Sequence, residues 1–352
     1  MALSGGHWDT LAEVAKLTQA TLIPGVVQED VQRNNPLAIL PMAQANHTGD
    51  EIQWLRENTD KMADADVANV GIGTQTVWTE GVGYNVKTMT LKACYIQRKL
   101  DKFIPSVYGT FNNYEEIVLK EMLTGTKKKL GKKIVYDDLT YGSDGLQFDG
   151  LHAIAAEQNG KSTVDIDMGE TALSIAKWRE LSDNMKHGVD FWLIPFCIGR
   201  WIDAALQEKG FAGLATATAG TMGVFSWGLD QFGGRILYFD GKPILRSDFL
   251  VAEQVNTGQG SDARALYSSG TRMYSIFGIK RGTNALTEED PGLKFAFGKT
   301  ESDGDLVNLE YFDKLENYIG KGMRVSAYSG LIAGSTMAVG RIHDITDAAI
   351  TV

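Results

Sequence analysis

The chain has 352 residues, enough for two or three modules or for one large core with extensions. A hydrophobic content of 43% with 22% charged residues excludes a wholly disordered chain. A formal net charge of −10 excludes a surface given over throughout to nucleic acid, although a local basic face is compatible with it.

From the N-terminus, MALSGGHWDTLAEVAKL lacks a basic start followed by an apolar run. No later stretch approaches the ~18 consecutive apolar residues of a membrane span, so folding in a reducing cytoplasm is expected. Residues 1–66 alternate short helical patterns with Pro24, Pro36 and Pro41. Trp8, Leu11, Val14, Ala15 and Leu22 make one apolar stripe that Pro24-Gly25 ends, and Leu37–Met42 is an apolar run. The pattern reads as an arm that packs on something else. Residues 67–100 change character. Gly71, Gly73, Gly81 and Gly83 flank Trp78 and Tyr84, and the β-rich VKTMTLKACYIQ follows, which predicts two long strands around a glycine-rich bend.

FNNYEEIVLKEMLTGTKKKLGKK predicts a helix over 112–131, with Glu115 and Glu116 in its first turn and lysines at its end, a charge order that complements the helix dipole. YGSDGLQFDGLHAIAAEQNGK reads as a loop. A helix over Glu170–His187, a strand over Asp190–Pro195 and a helix over 196–209 come next. In RILYFDGKPILRSDF, Asp240-Gly241 is the dipeptide of a two-residue hairpin turn, and Pro243 requires the returning strand to be an edge or to leave that position unpaired. Strands over Leu266–Ile279, Leu293–Phe297 and Met323–Ala333 complete an α+β chain.

No catalytic, cofactor or metal site emerges. Gly160-Lys161-Ser162, Gly298-Lys299-Thr300 and Gly131-Lys132-Lys133 each miss the phosphate-loop pattern, and Gly71-Ile72-Gly73 lacks the third glycine of a dinucleotide turn. A Gly-x-Ser-x-Gly elbow is absent, and His7, His47, His152, His187 and His343 show no paired spacing for zinc. Asp165-Ile166-Asp167 and Asp303-Gly304-Asp305 read as solvated acidic turns. Cys94 and Cys197 read as buried free thiols.

The order of these parts, with the phrases FDGLHAI, YFDGKPIL and MYSIFGIKRGTNAL, resembles the major capsid proteins of tailed double-stranded-DNA bacteriophages, the Hong Kong 97-type fold that encapsulin shells share in outline. The resemblance covers roughly residues 30–347. It implies an N-terminal arm (1–66), an extended loop (67–100), a peripheral domain with its spine helix (101–165), an axial domain (166–320) and a return to the peripheral domain (321–352).

The function implied is structural and not enzymatic: self-assembly as hexamers and pentamers into an icosahedral shell around packaged double-stranded DNA. The alternatives are an encapsulin-type compartment or, behind it, an α+β enzyme. The implied partners are further copies of the chain, a separate scaffolding protein and a portal, with a decoration protein as an optional addition, DNA enclosed without sequence preference and no membrane. The implied place is the virion, after assembly in the host cytoplasm. Gly322 in Lys321-Gly322-Met323 stands where cross-linking members carry asparagine, so covalent chain mail is not expected. Excess negative charge would keep the DNA from sticking to the inner wall. Trp78 and Tyr84 on the extended loop, with Leu37, Ile39 and Trp8 on the arm, are the expected assembly contacts.

Overall fold

Residues 114–136 have Val118, Met122, Thr126, Leu130 and Ile134 at every fourth position, and that spacing puts all five on one buried stripe. They form helix α1, Tyr114–Tyr136, with Glu115 and Glu116 in its first turn and Lys133 in its last. The computed structural model describes residues 31–45, 51–57, 69–75, 84–102, 114–138, 145–157, 164–208, 225–229, 235–254, 266–286, 289–298, 306–316 and 320–351. Trp8, Trp78, Gly160-Lys161-Ser162 and Asp303-Gly304-Asp305 lie outside them.

Two sheets flank the C-terminal half of α1. The first is built on the long strand β13 (Gly320–Ala333), which pairs antiparallel with β4 (Lys92–Asp101), β12 (Asn308–Phe312) and β11 (Leu293–Gly298). Strand β1 (Met42–Ala45) runs parallel to β11. Leu100, Met323 and Val325 of this sheet meet Val118 and Met122 of α1. The second sheet has the order β5 (Asp165–Thr171), β14 (Val339–Thr346), β10 (Met273–Ile279), β6 (Phe191–Pro195), β9 (Lys242–Ser247), β8 (Arg235–Phe239), β7 (Phe225–Leu229). Strand β6 is buried at every position, as its unbroken apolar run requires of a central strand. Helices α3 (Ile175–Asn184) and α4 (Phe196–Glu208) contribute to its core, where Trp178 stacks on Phe239 at 4.3 Å between centroids and Trp192 meets Trp178 edge-on at 5.4 Å.

The hairpin reading of Asp240-Gly241 holds: Asp240 (φ 46°) and Gly241 (φ 76°) take the left-handed conformation that a two-residue turn needs. Strand β9 is interior, yet Pro243 is accommodated. Its partner on β8 is Tyr238, one step beyond the hydrogen-bonded pair that closes the turn, and β6 joins β9 only from Ile244 onward.

Several expectations are revised. The loop of FDGLHAI contains a helix, α2 (Leu151–Ala156), all six residues of which are buried. Gly150 allows it: a Cβ there would lie 2.8 Å from Ile134 O and 2.9 Å from Lys133 O and Asp137 O, so the N-terminus of α2 sits directly on the C-terminal carbonyls of α1. Gly150→Ala is expected to cost about 1–3 kcal/mol by overpacking, read as a lowered denaturation midpoint of the unassembled subunit; an unchanged midpoint would show that the joint has room to give.

The helix expected from Glu170 starts only at Ile175, because β5 continues to Thr171, with Glu170 (φ 61°) inside it at a break in register. Residues 31–45, read as part of an arm that packs elsewhere, lie on their own chain: Leu37 and Leu40 join Leu130 and Ile134 in one core, and Asn35 Nδ2 donates to Lys127 O (2.9 Å). Strands β2 (Glu51–Glu57) and β3 (Tyr84–Thr90) form a separate two-stranded ribbon, whereas β4 belongs to the first sheet; the paired strands therefore reach back to Glu51 rather than lying within 67–100. The late chain crosses between sheets twice. Strands β11, β12 and β13 are all in the first sheet and β14 is back in the second, so neither 166–320 nor 321–352 corresponds to one sheet.

Candidate assembly surfaces

The ribbon places Leu55 opposite Val86, and strand alternation puts these two and Tyr84 on one face. Leu55, Tyr84 and Val86 are 68%, 65% and 58% exposed, which is a contiguous apolar strip that no described residue of the subunit covers. The opposite face carries Trp54, Arg56, Lys87 and Met89 toward the body of the chain. On the first sheet, Tyr95 and Tyr328 are also exposed and lie diagonally across the β4–β13 pair, on the face away from α1. A ribbon with one face held and the other apolar and bare is suited to pressing on another molecule.

A network of deeply buried polar residues ties the second sheet to α2 and to the C-terminal end of α1. Arg341 on β14 donates to Asp165 from Nε and Nη2, each at 2.7 Å, in a two-pronged pair that is almost wholly buried. Its Nη1 lies 3.2 Å from His152 Nδ1. Because a guanidinium can only donate, Nδ1 carries the lone pair and Nε2–H of His152 donates to Glu253 Oε1 at 3.0 Å. Glu253 also accepts from Tyr136 (3.1 Å) and from Ser275 Oγ (2.6 Å). Burial, and after it the Glu253 carboxylate, pushes the Tyr136 hydroxyl well above its ordinary value.

Serine, histidine and carboxylate are all present here, but in an order that does not catalyse. The carboxylate stands between Ser275 and the imidazole, the other imidazole nitrogen is taken by Arg341, and no substrate reaches side chains this buried. The network is structural. It also corrects the reading of Asp165 as part of a solvated turn.

Three solved structures share this architecture over nearly the whole chain. The holo-SrpI encapsulin complex from Synechococcus elongatus PCC 7942 superposes with a TM-score of 0.63 at 13% identity, covering 100% of this chain and 99% of that one. The capsid of cyanophage P-SCSP1u gives 0.54 at 9%, covering 93% of each. Mycobacterium phage Bobi gives 0.52 at 10%, covering 95% of this chain and 97% of that one. This is the Hong Kong 97-type capsid fold. No family model matches the sequence, and no curated protein matches it either.

Within the Hong Kong 97-type fold, the residues singled out from the sequence part company. Tyr84 is exposed on the bare face of the ribbon. Leu37 is only 6% exposed and Ile39 packs on the same core, so Leu37 has little surface left for a neighbour. Leu55 and Val86 carried no signal in the sequence, because an exposed apolar pair looks like any half-buried strand until its partner face is known. Gly131, in the third near-miss to a phosphate loop, is inside α1 and approaches Asn35 and Phe249 so closely that a Cβ would meet both, at 2.5 and 2.6 Å. His343 lies beside Asp167 and Asp344, the one grouping of possible metal ligands among the described residues.

Cys94 and Cys197 are free but only half-buried. Burial, with Asp347 adding to it, pushes the Cys197 thiol up to about 11. At pH 8 its alkylation is therefore expected to be on the order of a hundredfold slower in the folded subunit than after denaturation; mass spectrometry of iodoacetamide-treated protein measures this, and equal rates would mean that the site is open.

Proposed function

We propose that this chain is a structural shell subunit that assembles as hexamers and pentamers into an icosahedral capsid enclosing double-stranded DNA. The observation that carries the reading is the ribbon's uncovered apolar face, on a fold that the capsid of cyanophage P-SCSP1u shares. A heterologous contact of such an arm with the next copy closes rings, and rings of five and six close a shell. Catalysis has no part in this reading.

A compartment enclosing cargo protein is the second reading, favoured by the full-length superposition on the holo-SrpI encapsulin complex. Electron microscopy of the expressed chain, alone and with a scaffolding protein from the same source, tests both. Closed particles support a shell, and a chain that stays monomeric at every concentration and salt argues against it. Nuclease-protected DNA inside particles isolated from the native source favours the capsid, whereas a copurifying protein favours the compartment.

A further inference from the structure

Besides Met89, which packs on Gly330 of β13, the ribbon meets the body of its own subunit at a small polar joint. Arg56 of β2, with 8% of its side chain exposed, donates from Nε to Gly334 O (3.0 Å) and from Nη2 to Ala333 O (2.7 Å), at the end of β13. Its Nη1 lies 3.5 Å from Glu157 Oε2, beyond the last turn of α2. Lys87 of β3 takes the other oxygen of Glu157, so a cation from each ribbon strand converges on one carboxylate. Burial lowers the guanidinium of Arg56 from its ordinary value and Glu157 opposes that shift, which is the balance of a charge kept by its partner.

The joint is loosely filled. A cavity of about 250 Å³ remains between ribbon and body, lined by Trp54, Arg56, Lys87, Met89, Phe148 and Leu331 among others. Trp54 Nε1 is buried with no hydrogen-bond partner among the described residues. A packed apolar seam would fix the ribbon permanently; a few charged contacts over a void hold it in one orientation and can be released. Only Leu91 separates β3 from β4, which restricts any released motion to a pivot about the sheet edge.

We propose that Arg56, Glu157 and Lys87 form a latch that sets the angle at which the ribbon leaves the subunit, with Arg56 as its main positioning residue because it alone also bridges two carbonyls. The functional consequence rests on the reading of the ribbon as an assembly arm. In rings of five and six copies the ribbon meets its neighbour at more than one angle, and a releasable polar joint permits both.

The test uses the full chain with spin labels at Leu55→Cys on the ribbon and Lys129→Cys on α1, both exposed positions. Pulsed electron-spin distance measurement on the unassembled subunit is expected to give one narrow distance, lost to a broad or displaced distribution in R56M. R56K, which keeps the charge toward Glu157 but not the two-carbonyl bridge, should fall between. E157Q removes the charge at a partly exposed position and should broaden the distance even if R56M fails to fold. An unchanged distribution in E157Q, with R56M either unchanged or unfolded, overturns the latch. Without the labels, R56M shells are expected to lose the uniform diameter of wild-type shells on cryo-electron micrographs. If wild type does not assemble at all, the shell reading fails while the distance measurement still decides the latch.

Discussion

Arg341→Met should lower the stability of the unassembled subunit by about 3–5 kcal/mol, because removing one side of a buried ion pair strands the other. Asp165 would lose both of its hydrogen bonds from the guanidinium, and His152 Nδ1 the donor that fixes its tautomer. The damage would reach Glu253, which depends on that tautomer for one of its donors. Urea denaturation of subunits kept below their assembly concentration measures the loss, since assembly would add its own stabilisation. The double variant Arg341→Met, Asp165→Leu should recover much of it, as apolar replacement of both partners removes the stranded charge. A single variant within about 0.5 kcal/mol of wild type, the range of ordinary surface changes, would mean that the network is not what joins β14 to β5.

None of that network was legible in the sequence, and the reason is distance along the chain. Residues 136, 152, 165, 253, 275 and 341 come from six separate segments, and no local period connects them. What could be read was local: the Asp240-Gly241 turn, because positive φ at two successive residues leaves a strong dipeptide preference, and α1 and β6, because their burial repeats at four and at one. Helix α2 escaped for want of length, six wholly buried residues showing no periodicity to separate helix from loop. The ribbon was half-legible. Its β3 strand fell in the glycine-rich stretch, but its partner β2 lies beyond residues 58–83, and a long connection hides antiparallel pairing from any short-range signal. Leu37 misled for the opposite reason: an apolar run after two prolines looks like an arm, and only the fold reveals that Leu130 and Ile134 are waiting for it.

The bare face of the ribbon supports the other large effect. Leu55→Ala and Tyr84→Ala should each leave the subunit folded, because both side chains are mostly in water within it, at 68% and 65% exposure. Denaturation midpoints are expected to stay within about 0.5 kcal/mol of wild type. Assembly is where the loss should appear. Truncating a hot-spot side chain costs about 2 kcal/mol per interface, which at about 1.4 kcal/mol per tenfold is close to a thirtyfold weakening of each contact. A closed shell repeats that contact in every subunit, so the protein concentration needed for particles should rise at least as steeply, as light scattering across a dilution series would record. Trp78, expected from the sequence to lie near the tip of the same excursion, should behave in the same way when replaced by alanine. Shells that form at the wild-type concentration would remove the ribbon from the interface. Subunits that unfold would instead place these side chains in a core, and the apolar strip would then be packing within the chain rather than an arm held out to the next copy.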